Sequence, residues 1–256
     1  WNILIRNFIK YKTYSFYTHL GEAIPSVYMP PFYPFLLYLI KSSTSFLGLN
    51  FLYTTILIQI ILSTYSIYLF YKISENFFSQ KVSLINSIIF SLIPINLYAS
   101  GQISSINIQI LLSLLFLKFL LSILKREKEK DIIYISIISG LLILTRGEFV
   151  LIFLAIVFYI FFQKKIQLNN LIKIAIITFL IISPYVVRNY IHFKEIIIVK
   201  SLGYNLWKGN NQFANVEGYS NLNRIEFKDL KNKIDKIEKN KYYEINRDNT
   251  FLKESL

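Results

Sequence analysis

Three stretches of the chain gather side chains able to do chemistry. The first runs from Gly21-Glu22 to Met29-Pro30-Pro31-Phe32-Tyr33-Pro34. Glu22 is a carboxylate able to take a proton. Three prolines in five positions fix an extended-to-turn path and then start a helix with proline in its first turn. That segment reads either as a rigid lead-in to a helix or as a substrate-contacting loop. The second stretch is Leu144-Thr145-Arg146-Gly147-Glu148. An arginine at a membrane surface can bind phosphate bidentately; it can equally pair with Glu148 or anchor the helix end at the interface. The third is Ser183-Pro184-Tyr185-Val186-Val187-Arg188-Asn189-Tyr190, followed by Gly203-Tyr204-Asn205-Leu206-Trp207-Lys208-Gly209-Asn210-Asn211. Arg188 emerges where Pro184 weakens the last turns of a span. Trp207, Asn210 and Asn211 lie between glycines. An aromatic ring stacks on the C–H face of a sugar and amides bond its hydroxyls, although a loop with amide turn residues has the same composition.

Composition removes several classes. The chain has no cysteine, which excludes disulfide scaffolds, zinc ribbons and thiol catalysis. His19 and His192 are the two histidines, too few for a multi-histidine metal site. No acidic pair is visible, so neither a metal nor a cofactor is expected. The net charge of +13 sits largely in short loops between apolar stretches. Membrane topology accounts for those charges better than a phosphate-binding face does, and nucleic acid is not expected as a partner.

The elements that must position these residues are apolar helices. Hydrophobic residues make up 54% of the 256 and charged residues 17%, below the roughly 25% of globular chains. Residues 1–191 carry 16 Lys/Arg and 6 Asp/Glu, whereas 192–256 carry 12 and 9. This pattern predicts an all-α polytopic transmembrane helix bundle with a soluble C-terminal segment. About six spans are expected, near 51–71, 82–100, 105–124, 132–145, 148–162 and 170–187. Between 132 and 162 the choice is one long helix with buried charges or a hairpin of two short spans. Lys125, Arg126, Lys128 and Lys130 precede it and Lys164 and Lys165 follow it, so both flanks belong on the cytoplasmic side. The hairpin follows, with Arg146 and Glu148 at its outer tip. Residues 1–50 and 191–256 then lie outside. The apolar stretch 32–47, interrupted by Lys41, is expected to be an interfacial or re-entrant helix. In the tail, Phe227, Leu230, Ile234 and Ile237 mark one helical face, expected to pack on the membrane domain.

The order of these clusters resembles the polytopic lipid-linked sugar transferases of the GT-C superfamily, closest to the bacterial protein O-mannosyltransferase and aminoarabinose-transferase branch. Tyr28-Met29-Pro30-Pro31-Phe32-Tyr33-Pro34-Phe35-Leu36 resembles its Pro-Pro-x-Tyr-Pro segment. Gly140-Leu141-Leu142-Ile143-Leu144-Thr145-Arg146 resembles its Gly-Leu-x-x-Leu-Thr-Arg/Lys hairpin. Pro184-Tyr185-Val186-Val187-Arg188-Asn189 resembles its Pro-Trp-x-x-Arg-Asn exit from a later span, and Gly203 to Asn211 its Gly-x-Asn-Leu-x-x-Gly-Asn-Asn loop.

The resemblance implies an integral membrane enzyme of the bacterial plasma membrane with its active face outward. Its donor would be a polyprenyl-phosphate sugar, its acceptor a glycan, lipid or protein, its surroundings membrane lipid. Arg146 and Arg188, with Lys41 behind them, would hold the lipid phosphate; Tyr33, Trp207, Asn210 and Asn211 would contact sugar or acceptor. The family's catalytic acid would fall just upstream of Trp1, with Glu22 a poor substitute because it lies too close to Pro30. The region 101–107, where relatives carry another acid, reads Gly-Gln-Ile-Ser-Ser-Ile-Asn. With no initiator Met and no terminating motif, the chain is expected to be an internal fragment, inactive as it stands. The alternatives are an export flippase or polymerase of polysaccharide, or a non-catalytic lipid-binding relative. A transporter should place polar groups or broken helices at mid-membrane; Gln59, Asn96 and Lys118 are the main polar exceptions in the spans.

Overall fold

In an apolar solvent a helix carries its polar side chains inward, and helix α3 (Phe51–Ser74) does so. Its buried face is Thr55, Gln59, Ser66, Leu69, Ile73 and Ser74, while Leu52, Tyr53, Leu57, Ile60, Ile61, Tyr65 and Tyr68 stand exposed. That inversion of the soluble pattern places lipid around the helix and small or hydrogen-bonding residues between helices. Thr55 Oγ1 and Ser66 Oγ donate to the carbonyls four residues back, at 2.7 and 2.9 Å, which satisfies them without water. Asn50 caps the first turn by accepting from the Leu52 and Tyr53 amides.

The computed structural model describes residues 1–163, 165–214 and 221–255. Lys164, one of the positive flanks named above, lies outside them. The described chain is nearly all helical and falls into two compact units, Pro31–Pro184 and Trp1–Pro30 with Tyr185–Leu256.

The first unit holds α2 (Phe32–Leu47), α3, α4 (Gln80–Leu92), α5 (Pro94–Gly101), α6 (Ile106–Lys125), α7 (Glu129–Thr145), α8 (Phe149–Gln163) and most of α9 (Leu168–Phe193). Among the described residues α3, α6 and α9 are long and apolar enough to cross a membrane. The stretch expected as one span over 82–100 is instead the pair α4 and α5, bent by 56°. Proline at 94 has no amide to give the Phe90 carbonyl, and Ile93 before it turns extended. Asn96 repairs the break: its Nδ2 donates to that same Phe90 carbonyl at 2.7 Å.

Helices α7 and α8 are separated at Arg146-Gly147-Glu148; α7 has 17 residues with Glu129 and Asp131 in its first turn, and α8 has 15. Gly140 lets α7 lie against α9. A Cβ there would come within 2.6 Å of Ile181 Cβ. Nearby, Thr178 Oγ1 donates to the Ser136 carbonyl at 3.1 Å. Glu127 accepts from the Gln167 amide and Asn170 Nδ2, fixing the start of α9.

The second unit holds α1 (Asn2–Tyr11), a hairpin of β1 (Tyr17–His19) and β2 (Glu22–Ile24), the end of α9, α10 (Leu202–Asn210), α11 (Lys228–Asp235) and α12 (Tyr243–Ser255). Leu230 and Ile234 of the tail helix are buried as their spacing suggested. What covers them is Trp207 of α10 and Phe251 of α12, with Phe227 and Ile237 at the margin, rather than a membrane span.

Candidate functional site

Residues Ser26 to Pro30 belong to no helix or strand, so their backbone groups need partners from elsewhere. The Ser26 amide donates to the Tyr14 carbonyl at 2.8 Å, and the Val27 carbonyl accepts from the Lys200 amide at 2.9 Å. Val27 and Tyr28 amides both donate to Glu244 Oε2, at 2.7 and 2.9 Å, and Ser26 Oγ donates to the same carboxylate at 2.8 Å. Tyr14 Oη donates to the Met29 carbonyl at 2.9 Å, where Tyr185 Oη also reaches at 3.4 Å. The Ser26 carbonyl accepts from Arg188 Nη1 at 2.7 Å. Five residues of irregular chain are thus gripped by a tyrosine after α1, the end of α9 and the first turn of α12.

Arg188 is held as firmly as the segment it binds. Its Nη1 also donates to Asn189 Oδ1 at 2.8 Å and its Nη2 to the Tyr14 carbonyl at 3.3 Å. Its guanidinium lies over the rings of Tyr14, Tyr185 and Phe193 at 5.6–5.8 Å. Glu244 is 4% exposed. Burial pushes its carboxyl above the ordinary range, against the bonds from Val27, Ser26 and Tyr28 that favour the charged form. Burial likewise raises Tyr14, so its hydroxyl remains a donor.

In the other unit a second network surrounds Gln59. Its Oε1 accepts from Tyr33 Oη at 2.7 Å and the Ser104 amide at 3.2 Å. Its Nε2 donates to the carbonyls of Ala99, at 3.2 Å, and Gln102. Asn107 Nδ2 takes the Ala99 carbonyl as well, at 2.9 Å. The amide thereby closes the frayed end of α5, whose last carbonyls have no partner within the helix. Gln59→Leu would leave Tyr33 and the α5 carbonyls without it. A loss of about 1–2 kcal/mol is expected, read as a lower thermal midpoint of the protein in nanodiscs; an unchanged midpoint would deny the network its role.

The residues singled out in the sequence have these positions. Tyr33 is buried at the start of α2 with its hydroxyl on Gln59. Lys41 is half-buried in α2, its Nζ 5.2 Å from the centre of the Phe51 ring. Arg146 ends α7; its Nε donates to Gln109 Oε1 at 2.9 Å and its Nη1 lies 3.7 Å from Glu148. That side chain keeps 39% of its surface exposed, so it can meet a ligand. Glu22 is exposed at the start of β2, opposite His19. The stretch 203–211, read as a loop, is the helix α10 instead. Gly203 is not a turn residue there; it lets α10 approach α12, where Asp248 Oδ1 accepts the Tyr204 amide at 2.9 Å. Trp207 is consequently 3% exposed, its indole packed among Phe227 and Phe251. Asn211 closes the helix, its Nδ2 donating to the Trp207 and Lys208 carbonyls, while Asn210 is exposed.

Residues 29–187 match the dolichyl-phosphate-mannose-protein mannosyltransferase family. The chain belongs to that family. Neither the curated proteins nor the solved structures gave a match. This mannosyltransferase-family protein is therefore a membrane glycosyltransferase of the GT-C type, and its apolar helices make it an integral membrane protein. The matched segment of the mannosyltransferase opens at Met29, inside the gripped loop, and ends one residue before Arg188. Tyr14, Arg188 and Glu244, which do most of the gripping, lie outside it, and Tyr185 lies within it. No periodicity or motif marked Glu244: it is one of nine acids in a charged tail, and only the fold buries it. Among the described residues no group of three His, Cys, Asp or Glu is placed to hold a metal ion.

Proposed function

We propose that the reaction this chain serves is transfer of a sugar from a polyprenyl-phosphate donor to a glycan, lipid or protein acceptor at the outer face of a bacterial plasma membrane. The observation that carries the reading is Arg146. It sits at a helix end between two apolar helices, partly exposed, with Nε oriented by Gln109 at 2.9 Å and Nη1 3.7 Å from Glu148. A guanidinium so held can meet a phosphate bidentately.

In the reaction the bond between the anomeric carbon and the phosphate oxygen breaks, and its electron pair leaves with the lipid phosphate. The acceptor oxygen attacks that carbon from the opposite face, and its proton passes to the family's catalytic carboxylate, a role for which Glu22 is a poor substitute. Arg146 neutralises the leaving phosphate, with Lys41 adding charge, and Arg188, near the end of α9, is assigned the same role. Tyr33 anchors the start of α2. Asn210 offers its amide to sugar or acceptor hydroxyls, and Trp207 and Asn211 hold the helix end that presents it. An export pathway is less well supported. The break between α4 and α5 resembles a transporter's discontinuous helix, yet its polar groups are taken up by Asn96 and Gln59.

The test is donor binding by the chain in nanodiscs, followed by native mass spectrometry. Polyprenyl-phosphate-mannose is expected to bind, and GDP-mannose and free polyprenol are expected not to. Binding of the nucleotide sugar in preference to the lipid phosphate would overturn the reading.

A further inference from the structure

We infer that Glu244 is a positioning residue for Arg188: its carboxylate fixes Ser26–Tyr28, and the Ser26 carbonyl aims the guanidinium. The inference rests on the proposed donor role of Arg188.

The geometry forms a continuous chain of contacts. Glu244 lies in the first turn of α12 and is buried, yet it makes no salt bridge among the described residues. It accepts from two successive backbone amides and one hydroxyl, all of Ser26–Tyr28. A carboxylate held by adjacent amides is an anchor of fixed direction, because both N–H vectors must converge on it. Ser26 has the middle position. Its hydroxyl faces Glu244, its amide binds the Tyr14 carbonyl, and its own carbonyl receives Arg188 Nη1 at 2.7 Å. The second anchor on the guanidinium, the Tyr14 carbonyl, is the one to which the Ser26 amide is bonded. Two of the acceptors that orient Arg188 are therefore set by Ser26, and Ser26 is set by Glu244. The residues are 56 positions apart in sequence, from Arg188 to Glu244, and are joined through a segment more than 150 positions upstream of both.

A burial role alone would not require this. Fixing a loop can be done by apolar contact, and a buried carboxylate is costly to keep even with Arg247 within electrostatic reach. Its bonds reach the segment whose carbonyl accepts the shorter of the two backbone bonds from the arginine.

The experiment is a double-mutant cycle on the full chain in nanodiscs, reading the dissociation constant of polyprenyl-phosphate-mannose and the thermal midpoint together. Arg188→Ala is expected to weaken binding about tenfold, and Glu244→Gln to weaken it severalfold, since a neutral amide oxygen holds the Val27 and Tyr28 amides less strongly than a carboxylate does. In the Arg188→Ala background Glu244→Gln is expected to add nothing to the binding loss. Additive losses, or donor binding by Glu244→Gln equal to that of the unaltered chain, would overturn the inference while leaving the donor reading in place. Unchanged binding by Arg188→Ala would overturn the inference together with the donor role of Arg188. Should Glu244→Gln fail to fold, Ser26→Ala removes one donor and keeps the two amide bonds. It is expected to weaken binding two- to threefold in the presence of Arg188 and not in its absence; equal effects in both backgrounds would overturn the inference.

Discussion

Replacing Gly203 by alanine is expected to destabilise the second unit by about 3 kcal/mol, the upper range for an overpacked contact. The added Cβ would run into the Asp248 carbonyl oxygen and come within 2.7 Å of the Leu252 amide nitrogen. Both are backbone atoms of α12, so no rotamer change can relieve the contact. Helix α10 would have to move off α12. The bond from the Tyr204 amide to Asp248 would stretch, and the cluster of Trp207, Leu230, Ile234 and Phe251 would open. Gly209 is the matched control. It lies in the same helix, a Cβ there meets nothing within 4 Å, and its backbone is not left-handed. Gly209→Ala should be neutral or stabilise by up to about 1 kcal/mol through helix propensity. Denaturant titration followed by Trp207 fluorescence, with Trp1 replaced by phenylalanine, separates the two. Equal midpoints for both alanine variants would mean that the α10–α12 contact is not tight.

Arg146→Ala is expected to lower donor kcat/KM by roughly 10- to 100-fold, the equivalent of about 1.5–3 kcal/mol for a lost charge-assisted bond to phosphate. Stability should scarcely change. The contact with Glu148 is 3.7 Å long and Glu148 is 65% exposed, so little is lost on that side. Gln109 is only half-buried and can turn to water. Arg146→Lys should recover part of the activity, because the charge remains and the planar fork does not. Transfer rates against polyprenyl-phosphate-mannose concentration, with thermal midpoints of the same preparations, give both numbers. A variant with full activity would remove Arg146 from the donor site, and a variant that unfolds would make it a structural residue.

Much of the architecture was legible in the sequence because one periodicity and one solvent account for it. Apolar runs near the length of a bilayer and few charges indicated membrane helices. The four ordered motifs pointed to the sugar-transferase family that residues 29–187 match. The spacing of Phe227, Leu230, Ile234 and Ile237 identified a buried face correctly, since local geometry decides which side chains share a face. It could not say what covers that face, and the cover is a helix that the sequence reading took for a loop. Glycine was the reason. Gly203 reads locally as a chain breaker, and only the nearness of α12 turns it into a packing contact.

The polar residues divide the same way. The sequence alone marked Gln59, Asn96, Arg146, Arg188 and Trp207 as unusual, because a polar or aromatic residue among aliphatics needs a reason. Tertiary structure decided what each reason is. Asn96 repairs the carbonyl left by Pro94, Gln59 closes α5, and Trp207 fills a core. Glu244 had no such mark. One acid in a charged tail costs nothing to leave in water, so its type carries no information about its place. Its burial arises only when α12 folds against Ser26–Tyr28, a pairing more than 200 residues apart in sequence. Helix, span and family follow from local pattern, whose energies are set within a turn or a bilayer thickness. The partners of buried polar groups are set by long-range contacts, which no local pattern encodes.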